Sequence, residues 1–399
     1  MEEHTLVKQR IVFLDVFRFL LVTAALFSHV LGRFDTWGAL NNSQVLYLRL
    51  FTRGATPGLL ILFGFMIEYI YVKYAKRDGL SFSVNRMVYR AILCYFALVL
   101  VAVAGTIGLQ TGFREFVASI LLVSPTINGD VFALYFYVLF AMMPIIVLRL
   151  RYGIRILLMV IAGIWLSSLL VLDPINHLIG GSLYDLHLSH IVGFLTGLGD
   201  ARGPSVFHGL TVVLFGMVLG NVFTYRSRES MIFFSVLTVI ALFILGYEIL
   251  SIGWLAFLRN IADYNAYRAH NSIIYFAYGI IYTLFLLALA FGINKLLHPR
   301  VREVVTYLGT RTFIYFLTGN IILNLLPNGY TTISLWLSVG ETTLIVAVCY
   351  ILIKLWESRV NTWRPIVVLQ HRISQGAKSL TAILRKMASL SFGPRVPHI

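Results

Sequence analysis

The sequence predicts an all-α, polytopic transmembrane helix bundle of about ten spans, with both termini cytoplasmic. Three observations predict it. Of 399 residues, 59% are hydrophobic and only 12% are charged, whereas a soluble domain carries about 25% charged residues. Long uncharged runs, at 58–67 and 344–353 among others, have the composition of bilayer segments. Basic residues recur in alternate connecting segments, as the positive-inside rule requires. The mean hydropathy of +0.84 agrees. These features exclude an ordinary water-soluble enzyme. They also turn the net charge of +15 from a nucleic-acid signal into a topology signal, so no nucleic-acid partner is expected.

About 20 apolar residues cross a bilayer as a helix. On that measure the spans fall at 11–32, 54–73, 87–109, 131–148, 155–172, 206–225, 231–250, 272–294, 304–326 and 332–355. The first is too long, and too interrupted by Asp15, Arg18 and His29, for a cleaved leader. Lys8 and Arg10 precede it. Lys73, Lys76, Arg77, Arg86 and Arg90 follow the second span, and Arg149, Arg151 and Arg155 follow the fourth. Arg226 and Arg228 follow the sixth, and Lys295, Arg300 and Arg302 the eighth. All fall on one side if the N-terminus is cytoplasmic. The opposite loops hold the acids Asp35, Glu115, Asp130, Asp173, Asp185, Asp200 and Asp263. The stretches 113–123 and 253–258 predict short interfacial or re-entrant helices.

Cys94 and Cys349, the two cysteines, sit in apolar runs and read as small hydrophobes. No metal-ligand spacing stands out, since His187 and His190 in a loop have no further ligand beside them. The chain divides into a transmembrane domain at 1–356 and a basic cytoplasmic tail at 357–399. In the tail Leu380, Ile383, Leu384 and Met387 mark one helical face, with Lys378, Arg385 and Lys386 elsewhere. That pattern fits a helix lying on an anionic leaflet, or a solvated basic tail.

Charges inside spans are costly, about 2.5–3.5 kcal/mol each on insertion scales, and therefore mark function or pairing. In the first span Asp15 and Arg18 are three apart and can pair on one face. Arg18 and His29 are eleven apart, which is three turns plus roughly 20°, so both point the same way, roughly 16 Å apart along the axis. One elongated molecule spans that interval, with an anionic end at Arg18 and a reactive end at His29. Imidazole suits the removal of a proton from a hydroxyl. The rival reading is a buried histidine bonded to a backbone carbonyl, with an arginine that snorkels. Glu68, Glu248, Arg311 and Glu341 are further intramembrane groups; Glu68 and Arg311 are expected to pair with each other or with Asp15.

Leu14, Asp15, Arg18 and His29 resemble, in type and spacing, the opening pattern of the acyltransferase 3 family of multi-spanning membrane acyltransferases. That family includes bacterial O-acetyltransferases of lipopolysaccharide and peptidoglycan and a succinyltransferase of periplasmic glucans. The stretch Arg53-Gly54-Ala55-Thr56-Pro57-Gly58 followed by Leu62-Phe63-Gly64-Phe65 is similar to the family's second span, without its Ser. Arg86 and Arg90 resemble its paired loop arginines, four apart instead of three. Leu308-Gly309-Thr310-Arg311-Thr312-Phe313-Ile314-Tyr315 resembles a late span in which a His often follows; here Thr318, Gly319 and Asn320 stand instead. The match is specific over the first 90 or so residues, weak in the middle and moderate near the ninth span. The family's ten-span architecture agrees with the count above.

The resemblance implies acyl transfer, acetyl or succinyl, from a cytoplasmic acyl-CoA donor to a hydroxyl of an extracytoplasmic glycan or glycolipid, in a bacterial cytoplasmic (inner) membrane and without a metal. Arg86, Arg90 and the deeper Arg18, with Arg311, would hold the anionic CoA head. Asp15 would orient Arg18. His29 would act as general base or as acyl carrier. Asp130, Tyr135 and Arg53 are the candidate acceptor-binding residues, with Tyr137 beside them. An alternative is a transporter or flippase of an anionic or lipid-linked solute, although the polar residues gather in the first span and are not mirrored in two halves. A sensor or assembly scaffold on the same fold is a third reading. Oligomeric state, acyl group and acceptor are not specified by the sequence.

Overall fold

A computed structural model describes residues 11–179, 189–198, 203–326, 334–360 and 372–382. Among these every regular element is a helix. In order they are α1 (Val12–Arg33), α2 (Asn42–Arg53), α3 (Ala55–Met66), α4 (Lys73–Asp78), α5 (Leu80–Ile107), α6 (Phe113–Ile120), α7 (Asp130–Tyr152), α8 (Arg155–Ser167) and α9 (Asp173–Ile179). Then come α10 (Ser189–Thr196), α11 (Val206–Tyr225), α12 (Arg228–Ile252), α13 (Trp254–Ala262), α14 (Ile273–Leu296), α15 (Pro299–Thr310), α16 (Thr312–Leu325) and α17 (Leu335–Val360). The tail contributes α18 over 372–382. Lys8, Arg10, Asp185, His187, Asp200, Ile383, Leu384, Arg385, Lys386 and Met387 lie outside the described residues.

Nine helical runs among the described residues are long and apolar enough to cross a membrane. The chain is a multi-pass integral membrane protein. The two short helices expected in loops are α6 and α13. The second crossing is longer than its apolar core suggests, because α2, α3, a π-turn at Ile67–Val72 and α4 follow one another over Asn42–Asp78. The start of α1 defines the proximal end of the bundle, and its C-terminus the distal end.

The predicted ninth span, 304–326, is not one helix. The backbone breaks at Arg311 (φ −108°, ψ 30°), between α15 and α16. The 14-residue α16 measures about 21 Å at 1.5 Å per residue, short of the ≈ 30 Å hydrocarbon core. The cause lies in the polar face of α15, which carries Arg300, Arg302 and Glu303, and in Arg311 itself. Its guanidinium turns outward to both carboxylate oxygens of Glu357 on α17 and packs over Tyr307, 3.9 Å from the ring centre.

Without a hydrophobic drive between helices in lipid, close contact comes from small residues. The α3–α11 contact follows this rule. A Cβ on Gly64 would stand 1.8 Å from the Val213 carbonyl oxygen, and one on Gly216 2.0 Å from that of Ile61. Likewise Gly309 lets α15 cross α1 at Asp15, whose carbonyl oxygen lies 1.9 Å from where a Cβ would be. Helix α11 is 83% buried over its apolar window and runs through the centre. Helix α12, equally apolar, is only 17% buried and forms the lipid-facing periphery. Helix α1 packs against α3, α14, α15, α16 and α17, so its polar residues face the interior of the bundle.

The expected partners of Glu68 are corrected. It is fully buried and pairs with Arg149 of α7 at 2.8 Å, while Asn221 of α11 donates to the same Oε1 at 2.6 Å. Neither Arg311 nor Asp15 is its partner. Arg149, read from sequence as a proximal loop residue, is therefore a buried strut that ties the π-turn, α7 and α11 together. One strand of this joint is incomplete: Glu68 Oε2 and Arg149 Nε have no hydrogen-bond partner. Cys94 and Cys349 are free and buried.

Candidate functional site

Helix α1 is unbroken from Val12 to Arg33, so the face drawn from the sequence survives in the fold. Near its proximal end Arg18 Nη1 donates to Asp15 Oδ1 at 3.0 Å. Asp15 is 3% exposed, and a carboxylate in such a place needs a cation. The second amino group of Arg18 contacts the Met66 sulfur at the end of α3. Five residues on, Tyr71 lies beside Arg90 of α5. Closing i→i+5 hydrogen bonds, the π-turn brings Met66 and Tyr71 round to nearly the same side. One stretch of helix thus carries the contacts of both Arg18 and Arg90. Arg86 and Arg90 are exposed. Arg86 is cradled by Tyr74 and Phe82, at 4.6 and 4.5 Å from their ring centres.

Of the four arginines expected to hold an anionic head, Arg311 has its planar fork on Glu357, to which it donates through Nε and Nη2.

His29 sits one turn from the distal end of α1. Its Nδ1 lies 2.7 Å from Asn320 Oδ1 on α16. Asn320 is fully buried, and its own amide orientation is set because Nδ2–H donates to the Phe316 carbonyl at 2.9 Å. With Oδ1 turned to the ring, Nδ1 must carry the proton, and Nε2 keeps its lone pair. The rival reading, in which His29 serves a backbone carbonyl, is not what the geometry contains. Helix α16 is held in register with α1 by Thr23 and the Tyr315 hydroxyl, 3.0 Å apart, and by the stacking of Tyr315 on Phe19. One turn beyond Asn320, Asn324 fastens the distal end of α16, donating at 3.1 Å to the carbonyls of Val101 and Ile127. Between Arg18 and His29 on the same face, Val22 and Ala25 are 1% and 9% exposed, and Ala25 is the smallest side chain on that line.

At the distal end a cavity of about 450 Å³ opens among Thr56, Asp130, Leu134, Phe194, Tyr264 and Arg268. Arg268 lies within electrostatic range of the His29 ring. Asp130, expected to meet an acceptor, lines this cavity. Its Oδ1 accepts the Thr126 backbone N–H at 2.9 Å. Arg53 adjoins it through Tyr264, its guanidinium 5.3 Å from that ring. Tyr135 is placed differently from expectation. Five residues into α7 it faces α3, donating its hydroxyl to the Leu59 carbonyl at 3.1 Å and stacking on Phe63 at 4.9 Å. Tyr137 packs on Phe194, 6.0 Å between ring centres.

Three residues of this constellation have no role in the sequence reading. Asn320 stands near where the family pattern carries a His, and that substitution was the signal. Arg268 and Tyr264 come from a five-residue π-turn after α13 (Tyr264–Arg268). No period or motif marked them; Arg268 is one of two arginines, with Arg259, in that distal segment. Among the described residues no group of three metal-ligand side chains converges.

The fold defines a helical, multi-pass integral membrane protein whose first helix carries Arg18 and His29 at opposite ends of one face. No family model, curated protein or solved structure matches the chain. The resemblance to acyltransferase 3 rests on the residues quoted above.

Proposed function

We propose that the protein is a membrane O-acyltransferase, moving an acetyl or succinyl group from cytoplasmic acyl-CoA to a hydroxyl of an extracytoplasmic glycan or glycolipid across a bacterial cytoplasmic membrane. The observation that carries this reading is the hydrogen bond between His29 and Asn320. A histidine whose Nδ1–H is tied to a fixed acceptor presents Nε2 as a base of defined direction, and such orientation is what general-base catalysis requires.

In this reading Arg86, Arg90 and Arg18 meet the phosphates of the donor at the proximal end, with Asp15 keeping Arg18 extended along the helix. The thin pantetheine arm follows the α1 face past Ala25. At the distal end His29 Nε2 takes the proton of the acceptor hydroxyl as its oxygen attacks the thioester carbonyl. The C–S bond breaks, and the proton passes from His29 to the departing CoA thiolate, so charge balances. The alternative course, acyl transfer first to Nε2 and then to the hydroxyl, uses the same nitrogen.

The test is release of free CoA from acetyl-CoA and succinyl-CoA by the purified protein, wild type beside His29→Ala. Loss of about 10²–10⁴-fold in the variant, the usual worth of a general base, is expected with membrane insertion intact. Unchanged release in His29→Ala removes the proposal. Arg18→Ala is expected to weaken acyl-CoA binding, and an unchanged affinity would put the donor elsewhere.

A further inference from the structure

We infer that the distal cavity recognises its acceptor through an anionic group, a carboxylate or a phosphate, gripped by Arg53 and Arg268. The inference rests on the acyltransferase reading and names its substrate class: an acidic or phosphorylated saccharide.

Two guanidinium groups approach a single ring. Arg53 lies 5.3 Å and Arg268 5.1 Å from the centre of Tyr264. Each commits one nitrogen to the protein: Arg53 Nε donates to the Ala262 carbonyl at 3.3 Å, and Arg268 Nε to the Gly203 carbonyl at 3.1 Å. These bonds hold the root of each fork. Among the described residues the terminal amino groups of both arginines meet no acceptor, and neither arginine pairs with a carboxylate. The nearby acids are otherwise engaged, since Asp130 accepts the Thr126 N–H at 2.9 Å and Asp263 that of Asn265 at 3.1 Å.

Two cations drawn onto one ring repel each other, and the ring quadrupole offsets only part of that repulsion. What completes the arrangement is an anion between the forks, for which planar guanidinium groups provide paired donors of matching geometry. The rest of the cavity suits a sugar. Its volume of about 450 Å³ admits one or two rings, and Phe194 lines it with an aromatic ring. The clamp shares the distal end with His29, so an acceptor held by its acid group presents its hydroxyls at the end of the bundle where the base stands.

The experiment uses the full-length protein in lipid nanodiscs without any acyl donor, so that it reads binding alone. Glucose, glucuronate, glucose 6-phosphate and inorganic phosphate are titrated, and affinity is taken from ligand-dependent thermal stabilisation. At least one of the two acidic sugars is expected to bind about tenfold or more tightly than glucose, the worth of charge-assisted bonds. Glucuronate and glucose 6-phosphate tell carboxylate from phosphate recognition. Arg53→Gln and Arg268→Gln are each expected to abolish the preference, and Arg268→Lys, which keeps the charge without the fork, to retain part of it. Equal affinity for glucose and both acidic sugars overturns the inference, as does a preference that persists in the double Gln variant. Inorganic phosphate binding as tightly as the sugar phosphate overturns the saccharide assignment. Since no donor is present, absence of CoA release elsewhere leaves this result readable, and failure of the acidic-sugar preference leaves the acyl-transfer proposal itself standing.

Discussion

The bond between His29 and Asn320 makes a quantitative prediction. Replacing Asn320 with Ala removes the Oδ1 that sits 2.7 Å from His29 Nδ1 and leaves an imidazole N–H facing apolar neighbours, among them Phe316 with its ring centre 6.1 Å away. An unpaired buried donor costs about 1–3 kcal/mol. The ring escapes that cost by rotating or by moving its proton to Nε2, and either course withdraws the basic lone pair. At about 1.4 kcal/mol per decade, kcat for acyl transfer falls about 10–100-fold. The KM for acyl-CoA stays near wild type, because Arg18 lies roughly 16 Å away along α1 and Arg86 and Arg90 stand on another helix, α5. Asn320→Asp keeps an acceptor in place and recovers most of the lost rate, which a purely structural role for Asn320 does not explain. The assay is CoA release at varied donor concentration for all three proteins, with thermal unfolding to show that each is folded. Wild-type kcat in folded Asn320→Ala refutes the reasoning, and so does Asn320→Asp no faster than the Ala variant.

Other outcomes follow from the same contacts. Glu68→Gln leaves Arg149 buried without its counter-charge, so unfolding free energy drops by about 3–5 kcal/mol, measured by chemical denaturation in detergent; a change near zero shows that the joint is not structural. Ala25→Phe puts a large ring where the smallest side chain stands on the face between Arg18 and His29, which abolishes acyl transfer while acyl-CoA still binds at the proximal end, and undiminished turnover contradicts passage of the arm along α1. Arg311→Ala breaks the pair with Glu357, so thermal stability decreases while the KM for acyl-CoA is unchanged; a raised KM returns Arg311 to the donor site.

How much of this was legible in the chain depends on how local each contact is. The pair Asp15–Arg18 lies three residues apart on one helix, and sequence spacing alone places it. The same holds for the shared direction of Arg18 and His29, since α1 runs unbroken through both. Glu68 is the opposite case: its partners Arg149 and Asn221 come from two distant helices, and only packing decides which of several intramembrane arginines it meets. Arg149 looked like a loop charge because basic residues at span ends normally mark the interface. Asn320 carries no charge, so a search for charges inside spans passes over it, although its place opposite His29 decides the tautomer. The break at Arg311 was hidden by an apolar count that overlooked the polar face of α15. The cavity is built partly from an irregular turn, Tyr264–Arg268, for which neither a helix nor a strand period gives warning. Tyr135 was misplaced by the helix itself, which turns it away from the cavity that Asp130 and Leu134 line.

The central claim is that an acyl group enters at one face of the bundle and leaves on a hydroxyl at the other, by way of His29. It is tested most directly in proteoliposomes of uniform orientation. Acetyl-CoA or succinyl-CoA labelled in the acyl group is supplied only at the proximal face, and a panel of neutral and acidic oligosaccharides only at the distal face. The account predicts labelled ester on a saccharide at the distal face, CoA retained at the proximal face, and neither product in His29→Ala. Label crossing as intact CoA or free acid, or ester forming at the same rate without His29, would contradict it.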